Sequence, residues 1–283
     1  MLRIIRNGMT LSVIMLGTLY FGCSQQPTEN TPAGNVLFQV KAVAGTKVSA
    51  KFVNRTTSGS GDSLKLTDPA GTVFSLSEAR VHIRHVEFYL PDSVSCQDIQ
   101  SSLIEPAGCE TDSADSSGKI VIKGPFVFDL LSGVSTPNLH ATIVPAGNYR
   151  RIDVRLDDAD STDGIVLASD ELENYTMILK GTFGYLDKSD RPFSILLRFN
   201  EDARFEADSG ILIQDGTLQI VTLKLDVNKW LNGVSVTACL SQNGITLDSL
   251  GNLLIDEKNG KNCSDLEGLL KSNIKNSGQL DKQ

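Results

Sequence analysis

The chain has 283 residues, and its 34 acidic residues outnumber 26 basic ones, so its formal net charge at pH 7 is −8. This length is sufficient for one large domain or two medium ones. An acidic chain repels phosphate backbones, and no stripe of Lys and Arg here alternates with aromatic residues. The composition therefore argues against nucleic acid as a partner.

The N-terminus has the features of an export signal. Arg3 and Arg6 make the start basic, and an apolar stretch follows from Leu11 to Phe21. This stretch has the length of the apolar part of a signal peptide and is shorter than the roughly 20 residues of a membrane-spanning helix. We therefore expect residues 1–22 to be removed as a signal peptide.

A small residue and a cysteine end this signal. Gly22 stands directly before Cys23, an arrangement that resembles the lipobox of bacterial lipoproteins, although Tyr20 occupies the position where that motif usually has leucine. The resemblance implies cleavage before Cys23, acylation of that cysteine with fatty acids such as palmitate, and anchoring to a membrane. Ser24, in place of aspartate, implies the outer membrane. Cleavage at a nearby small residue, with Cys23 unmodified, is the alternative.

Residues 23–35 are expected to form a flexible tether. The segment is polar and contains prolines but no large apolar residue, so it cannot bury enough surface to offset the entropy of ordering. Signal cleavage removes Arg3 and Arg6 and no acid, so the mature chain is more acidic still and should not bind anionic lipid through its surface. The expected membrane contact is the lipid alone, and residues 36–283 are expected to form the folded domain.

Four cysteines remain besides Cys23. An even number in an exported chain indicates disulfide bonds. The simplest pairing joins sequence neighbours, Cys96 to Cys109 and Cys239 to Cys263, and each bridge would contribute about 3 kcal/mol through loop entropy. A zinc site is the alternative, but zinc sites favour close C-x-x-C pairs, and the spacings here are much wider.

Apolar and polar residues alternate with a period of two in many short segments, as half-buried strands require. The clearest are Lys47–Val53, Tyr149–Leu156 and Ala79–Phe88, and in the last the phase slips at Arg84–His85, which predicts a β-bulge. Further strands are expected over Val36–Val43, Lys119–Ile122, Phe126–Leu130, His140–Val144, Tyr175–Tyr185, Phe193–Phe199, Ile211–Ile213, Leu218–Leu225 and Val234–Leu240. Many short strands without alternating helices favour an all-β fold, an antiparallel β-sandwich of the immunoglobulin- or transthyretin-like type.

One C-terminal amphipathic helix is expected at about residues 264–276. Ser264 and Glu267 form a capping box, with Ser264 as the N-cap. Apolar residues then recur at helical spacing, at Leu266, Leu269, Leu270 and Ile274. Because Cys263 directly precedes the cap, a bond to Cys239 would join this helix to the strand expected around Cys239.

Three segments carry a resemblance to known families. The strand at Leu76–Leu90, the strand that ends in Asp-Leu-Leu at Phe126–Leu131, and the turn at Pro145–Tyr149 are similar to those of β-sandwich domains of unknown function in bacterial surface lipoproteins. Residues Leu225–Trp230 also resemble a segment of periplasmic copper-binding proteins of the MbnP type. The first resemblance implies the sandwich fold, and neither assigns a function.

Two motifs are candidates for catalysis or for transition-metal binding. Gly61–Leu64 spells the nucleophile block of GDSL-type esterases, but no Asp-x-x-His supplies a base, so we expect no hydrolase activity. His82 and His85 would point to opposite faces of a regular strand, so they could share a copper or zinc ion only if the bulge reorients one. Together with His140, they are expected to be ordinary surface or turn residues.

An acidic loop that follows the strand ending at Leu156 is the strongest candidate site. Its carboxylates could surround a hard cation such as calcium with oxygen ligands, and they belong to Asp157, Asp158, Asp160 and Asp163. The spacing is not that of an EF-hand. A solvated acidic turn is the alternative.

These features predict a membrane-anchored lipoprotein that acts as a non-enzymatic binding or envelope-structural module. An unidentified protein or glycan is the expected ligand, and no cofactor is expected unless the acidic loop binds calcium. The first alternative is a calcium- or copper-binding protein of the periplasm or cell surface. The second alternative is a hydrolase.

Overall fold

The computed structural model describes residues 32–44, 64–111, 118–186, 188–259, 263 and 265–282. Within these residues the chain is mostly strand, and fourteen strands form the two sheets of a β-sandwich. The predicted signal peptide, Cys23, most of the predicted tether and the strand predicted over Lys47–Val53 lie outside the described residues.

The smaller sheet consists of four strands, β1 (Ala33–Val43), β7 (Thr142–Pro145), β12 (Leu218–Asp226) and β14 (Gly278–Lys282). Their order across the sheet is β14–β12–β1–β7. The central pair, β1 and β12, is parallel, whereas the two outer strands run antiparallel to their neighbours.

The larger sheet consists of ten strands. They are β2 (Lys65–Thr67), β3 (Val73–Tyr89), β4 (Ala107–Thr111), β5 (Gly118–Asp129), β6 (Ser135–Thr136), β8 (Gly147–Leu156), β9 (Met177–Tyr185), β10 (Lys188–Leu197), β11 (Glu201–Ile213) and β13 (Leu253–Ile255). The main path is β11–β8–β3–β9–β10–β13, and β5 and β2 pair with the other edge of β3. Strands β4 and β6 pair with β5.

Strand β3 joins the two halves of the larger sheet. It has 17 residues, of which the stretch 74–81 pairs with β9 and the stretch 83–88 pairs with β8. On its other edge, β5 pairs with residues 80–89. Because a strand of about five or six residues could reach only one of these neighbours, the length of β3 places β8 and β9 in one sheet.

The core lies between the sheets, where the inward residues of each strand meet. Phe38 of β1 packs edge-on against Phe88 of β3 and Phe128 of β5, with ring centroids 5.9 and 6.4 Å apart. Phe88 also contacts Tyr149 of β8, at 6.2 Å. All four rings are buried, and such rings dominate the energetics of a core. They therefore fix the smaller sheet over the centre of the larger one.

Three helices complete the described structure, α1 (Cys96–Ile99), α2 (Val236–Ser241) and α3 (Leu266–Asn276). The N-cap of α3 is Asp265, whose carboxylate accepts a hydrogen bond from the backbone N–H of Gly268 at 3.3 Å. The predicted N-cap, Ser264, lies outside the described residues. The apolar side of α3 faces the core through Leu266, Leu270 and Ile274.

Two sequence predictions about the elements were wrong. The segment Val234–Leu240 was predicted as a strand, but α2 covers most of it, because a short apolar run fits a buried strand and a buried helical turn equally well. The sandwich was predicted to be antiparallel, but β1 pairs parallel with β12 and β10 pairs parallel with β13. Parallel partners are joined by long connections, and no local pattern marks them.

The structure contains two disulfide bonds with the predicted pairing. Cys96 of α1 bonds to Cys109 of β4, with Cα atoms 5.5 Å apart. Cys239 of α2 bonds to Cys263, with Cα atoms 5.8 Å apart. The sequence predicted that this second bond would join a helix to a strand. Because Cys239 lies in α2, the bond instead joins α2 to the residue that precedes α3.

Removing the second bond should destabilise the fold more than removing the first. The Cys239→Ser, Cys263→Ser variant loses the larger ring, because the bonded residues are 24 positions apart against 13 for Cys96 and Cys109. Loop entropy gives each bond about 3 kcal/mol, and the second also holds two helices together. Urea unfolding of the two paired variants measures the difference. Free thiols in peptide maps of the oxidised protein would contradict the pairing.

Candidate functional site

Polar side chains line the outer face of β3 over most of its length. In chain order they are Glu78, Arg80, His82, Arg84, His85, Glu87 and Tyr89. The register shifts between Ile83 and His85 against both neighbouring strands, β5 and β8. Ile83 and Val86 stay buried, so Arg84 and His85 both face outward. The bulge predicted at Arg84–His85 is confirmed, and it gives this face one more polar position than regular alternation allows.

A loop, residues 157–176, covers the first half of this face. His82 is buried beneath it and donates from Nδ1 to the carbonyl oxygen of Asp157 at 2.8 Å. Arg80 binds both carboxylate oxygens of Asp170, at 2.9 and 3.0 Å. A small apolar cluster separate from the main core lies under the loop, formed by Val127, Ala159, Val166, Leu172 and Ile178. The loop is therefore packed onto the sheet by apolar contacts and by arginine–carboxylate pairs.

The four aspartates of the predicted calcium site lie in this loop, and each has a partner within the protein. Arg84 lies 2.8 Å from the carboxylate of Asp163 and 3.7 Å from that of Asp157. Asp158 accepts a hydrogen bond from a threonine hydroxyl at 2.7 Å, and Asp160 caps the short 3₁₀ turn that follows it. Among the described residues, no three His, Cys, Asp or Glu side chains are grouped so that they could hold a metal ion.

Calcium binding by these aspartates stays a prediction. The contacts of Arg84 with Asp157 and Asp163 provide a test of it. A cation shared by Asp157 and Asp163 has to displace Arg84, so Arg84→Ala should increase the rise of the melting temperature in millimolar calcium. Asp158→Asn combined with Asp160→Asn should reduce that rise if both carboxylates are ligands. Melting curves with calcium and with chelator measure both effects. A melting temperature that calcium leaves unchanged in all variants would contradict the prediction.

The second half of the outer face lies beyond this loop, and we call it the charged face. It is formed by outward side chains of four neighbouring strands: His85, Glu87 and Tyr89 of β3, Lys119 and Lys123 of β5, Arg151, Asp153 and Arg155 of β8, and Arg204 of β11. Glu87 and Asp153 are directly opposite each other on paired strands. The register of three strand pairs, rather than a loop, therefore sets the spacing of these groups.

Glu87 is held by basic side chains from two strands. Its side chain is close to Lys119 Nζ at 2.7 Å and to His85 Nε2 at 3.2 Å, although the residue is only 9% exposed. Burial raises the pKa of the Glu87 carboxyl, but the hydrogen bonds from His85 and Lys119 outweigh it and lower the pKa to about 2. Glu87 is therefore ionised throughout the physiological pH range.

Asp153 is the second buried carboxylate of the charged face, 5% exposed. Arg151 donates to it from Nε at 2.9 Å and from Nη2, and Arg204 approaches to 3.9 Å. The guanidinium carbon of Arg151 also lies 3.7 Å from the ring centroid of Tyr89, and its Nη2 donates to the Tyr89 hydroxyl at 2.9 Å. Arg151 thus links Asp153 to Tyr89, whose hydroxyl lies 3.4 Å from Glu87.

A cleft of about 390 Å³ borders the charged face at the bulge. Its lining is partly polar and partly apolar and consists of Arg84, His85, Glu87, Glu110, Val121, Lys123, Gly124, Pro125 and Asp163. At Gly124 an added Cβ would lie 2.7 Å from the carbonyl oxygen of Arg84, so only glycine lets the two backbones approach this closely. The cleft shares His85, Glu87 and Lys123 with the charged face.

Sequence patterns mark several residues of the charged face but not the contacts between them. The alternation of Arg151, Asp153 and Arg155 indicated an outward strand face, and the bulge indicated that His85 leaves the regular register. His82 and His85 both face outward, but they contact different groups, a carbonyl and a carboxylate. Pairing between strands far apart in sequence brings Lys119 and Asp153 to Glu87, and no local spacing signals it.

Comparison of the chain with protein-family models, curated proteins and solved structures finds no match. In the part of the chain that the structure describes, no helix is both long and apolar enough to cross a membrane.

The lowered pKa of Glu87 predicts a loss of stability in acid. A carboxyl whose folded-state pKa is about 2, against an ordinary 4.5, stabilises the fold above pH 4.5, and this contribution is lost as the pH falls toward 2. Its surroundings are His85 and Tyr89 on its own strand, Lys119 on β5 and Asp153 on β8. Glu87→Gln should therefore lower stability at pH 6 and reduce the further loss between about pH 4.5 and 2.

Melting temperatures across this pH range measure the effect. Glu110→Gln is the matched control, because Glu110 lies at the rim of the same cleft and is 3.8 Å from Lys123 in a more exposed pair. The control should follow the wild-type curve. An equal acid-induced loss in wild type and Glu87→Gln would show that another carboxyl is responsible.

Proposed function

We propose that this chain is a lipid-anchored module of the bacterial cell envelope that binds a partner through the charged face and catalyses no reaction. The observation that carries the proposal is the pair of buried carboxylates, Glu87 and Asp153, on the outward side of a sheet. Each is neutralised by cations from the same face. Replacing buried ion pairs with apolar residues is often neutral or stabilising, so folding alone does not require them.

The construction of the charged face supports binding. Its groups project from four hydrogen-bonded strands, so their backbone positions are fixed before a ligand arrives. Arg151 is held by Asp153 and by the ring of Tyr89, and Lys119 is held by Glu87. Groups ordered in advance lose little entropy on binding, which favours affinity.

The contacts of the histidines support a non-enzymatic role. His82 is buried against the Asp157 carbonyl, and His85 contacts the Glu87 carboxylate. A serine nucleophile needs a base within hydrogen-bond reach, and these two imidazoles already contact a backbone carbonyl and a carboxylate. Residues 61–63 of the GDSL-like block Gly61–Leu64 lie outside the described residues, and a hydrolase remains the alternative that an activity assay has to address.

The proposal includes a lipid anchor on Cys23 and a location in the cell envelope. Two disulfide bonds suit an oxidising compartment such as the bacterial periplasm or the cell surface. Cys23 precedes the first described strand, which begins at Ala33, by few residues, and an extended chain spans at most about 3.6 Å per residue. An outer-membrane lipid on Cys23 would therefore keep an immunoglobulin- or transthyretin-like sandwich within roughly 40 Å of the bilayer.

The anchor is tested by Cys23→Ala in a Gram-negative host. Wild type should incorporate labelled palmitate and fractionate with the outer membrane, whereas the variant should incorporate none, because the acylated thiol is missing. Cys96→Ala is a suitable control, since it changes a cysteine of the folded domain. Equal labelling of wild type and Cys23→Ala would contradict the anchor.

Binding is tested by sedimentation of the chain from Ser24 onward with isolated envelope fragments. The variant Arg151→Ala, Asp153→Ala removes both members of an ion pair, so no unpaired buried charge remains. It should lose most of the envelope binding. The control Lys224→Ala, Asp281→Ala removes an ion pair between β12 and β14 on the smaller sheet and should bind as wild type does. Equal binding by the two variants would contradict the charged face as the site.

A further inference from the structure

Four apolar side chains lie together on the outer face of the smaller sheet. The alternation of buried and outward residues in β1, β7 and β12 directs Leu37, Ile143 and Ile220 away from the core, and Leu218 with them. In the register Leu37 pairs with Ile220, and Asn35 pairs with both Ile143 and Leu218. We call Leu37, Ile143, Leu218 and Ile220 the apolar patch.

The apolar patch is unusual for the outer face of a sandwich. A sheet face in contact with water usually carries polar side chains. Here the charged side chains of the outer face, such as Lys41, Lys224 and Asp281, lie farther along the strands than the patch. Leu218 is 65% exposed, and the other three patch residues are partly exposed. Contiguous exposed apolar groups mark surfaces that contact a protein or a membrane.

The N-terminal segment joins the folded domain beside the apolar patch. Strand β1 begins at Ala33, two residues before Asn35. The carbonyl oxygen of Pro32 accepts a hydrogen bond from the Ala146 N–H at 2.7 Å, and the Ala33 N–H donates to the Asp215 carboxylate at 3.0 Å. These bonds fix the place where the chain enters the sandwich.

The stretch of chain between Cys23 and this place is short. Ala33 follows Cys23 by ten positions, and a flexible chain of that length has a root-mean-square end-to-end distance of roughly 17–19 Å. A lipid on Cys23 would therefore hold the apolar patch beside the bilayer at a high effective concentration. Under that condition a small apolar surface is sufficient for contact, because the anchor has already brought the two together.

The net charge of the chain does not oppose this contact. The sequence predicts the lipid as the only membrane contact, because acidic residues outnumber basic ones. The apolar patch itself contains no charged residue, so its entry among lipid head groups does not remove a charge from water. Contact of such a surface with a membrane depends on the apolar area that it buries.

We propose that the apolar patch rests on the lipid surface in which Cys23 is anchored. The outer faces of the two sheets lie on opposite sides of the sandwich, so this contact turns the charged face away from the membrane and toward its partner. The inference rests on the lipid anchor of the proposed function and adds the orientation of the domain. A second copy of the chain on the apolar patch is the competing outcome that the tests distinguish.

The first test measures partition of the mature chain onto neutral phosphatidylcholine vesicles. The Cys23 thiol is coupled to one fourteen-carbon alkyl maleimide, because a single chain of this length gives weak, reversible membrane binding to which the patch adds measurably. Leu218→Glu with Ile220→Glu should lower the partition coefficient at least about tenfold, because two apolar contacts are lost and two charges resist desolvation. Equal partition of wild type and this variant would overturn the inference.

Two further variants separate the apolar contact from net charge and from folding. Leu186→Glu with Leu250→Glu adds the same two charges at leucines outside the smaller sheet that are 81% and 80% exposed, and it should leave partition unchanged. Leu218→Thr with Ile220→Thr retains strand-favouring residues and should lower partition about three- to tenfold. Melting curves verify that each variant is folded. An equal loss in the Leu186, Leu250 control would assign the effect to net charge and overturn the inference.

The orientation is tested by tryptophan fluorescence in vesicles that contain brominated phosphatidylcholine. Trp230 is buried and gives a constant background. Leu218→Trp places a fluorophore in the apolar patch, and Lys123→Trp places one on the charged face, where the lysine side chain is 62% exposed. Brominated lipid should quench the patch fluorophore at least about threefold more strongly. Equal quenching, or stronger quenching of Lys123→Trp, would overturn the inference.

The competing occupant is tested without lipid, by sedimentation equilibrium of the chain from Ser24 onward. A monomer at micromolar concentrations is expected. A dimer that Leu218→Glu with Ile220→Glu dissociates would assign the apolar patch to a second copy and overturn the inference. Absence of palmitate on Cys23 in cells would overturn the anchor and the inference together. A labelled chain whose vesicle partition the patch variants do not change would overturn only the patch contact.

Discussion

The pairing of β3 along its whole length is the interaction on which the rest of the structure depends. Its 17 residues hydrogen-bond to β9 and then to β8 on one edge, and to β2 and β5 on the other. Its inward rings, such as Phe88, meet the smaller sheet, and its outward groups form the candidate site. A single strand therefore connects the core to the surface that we propose binds the ligand.

The bulge at Arg84–His85 has two effects on the structure. It shifts the register, so Ile83 and Val86 both remain in the core, and it places two consecutive charged or ionisable residues outside. Arg84 then holds the acidic loop through Asp163, while His85 supports Glu87. The loop-covered half of the outer face and the charged face meet at this bulge, and the cleft lies at the same place.

Local sequence patterns predicted the features that depend on local interactions, namely the strand positions and the bulge. Period-two alternation located strands such as β1 and β8, and its slip located the bulge, because burial on one face fixes the phase of a strand. Val234–Leu240 was predicted as a strand and is mostly helix, since its few apolar residues fit both periods. The parallel pair β1–β12 and the contact of Lys119 with Glu87 depend on pairing between distant segments. Such pairing follows from the energetics of the complete fold.

The candidate site is difficult to recognise from sequence because it too depends on pairing between distant strands. A catalytic or metal site often has close, characteristic spacing, but a binding face on a sheet takes one or two residues from each strand. Arg151 and Asp153 alone resemble an ordinary solvated strand face. Their role becomes clear when Glu87 and Tyr89 lie beside them, because hydrogen bonds then connect the four side chains in one network. Such a network orders its own donors and acceptors, so a ligand would meet groups that need little rearrangement.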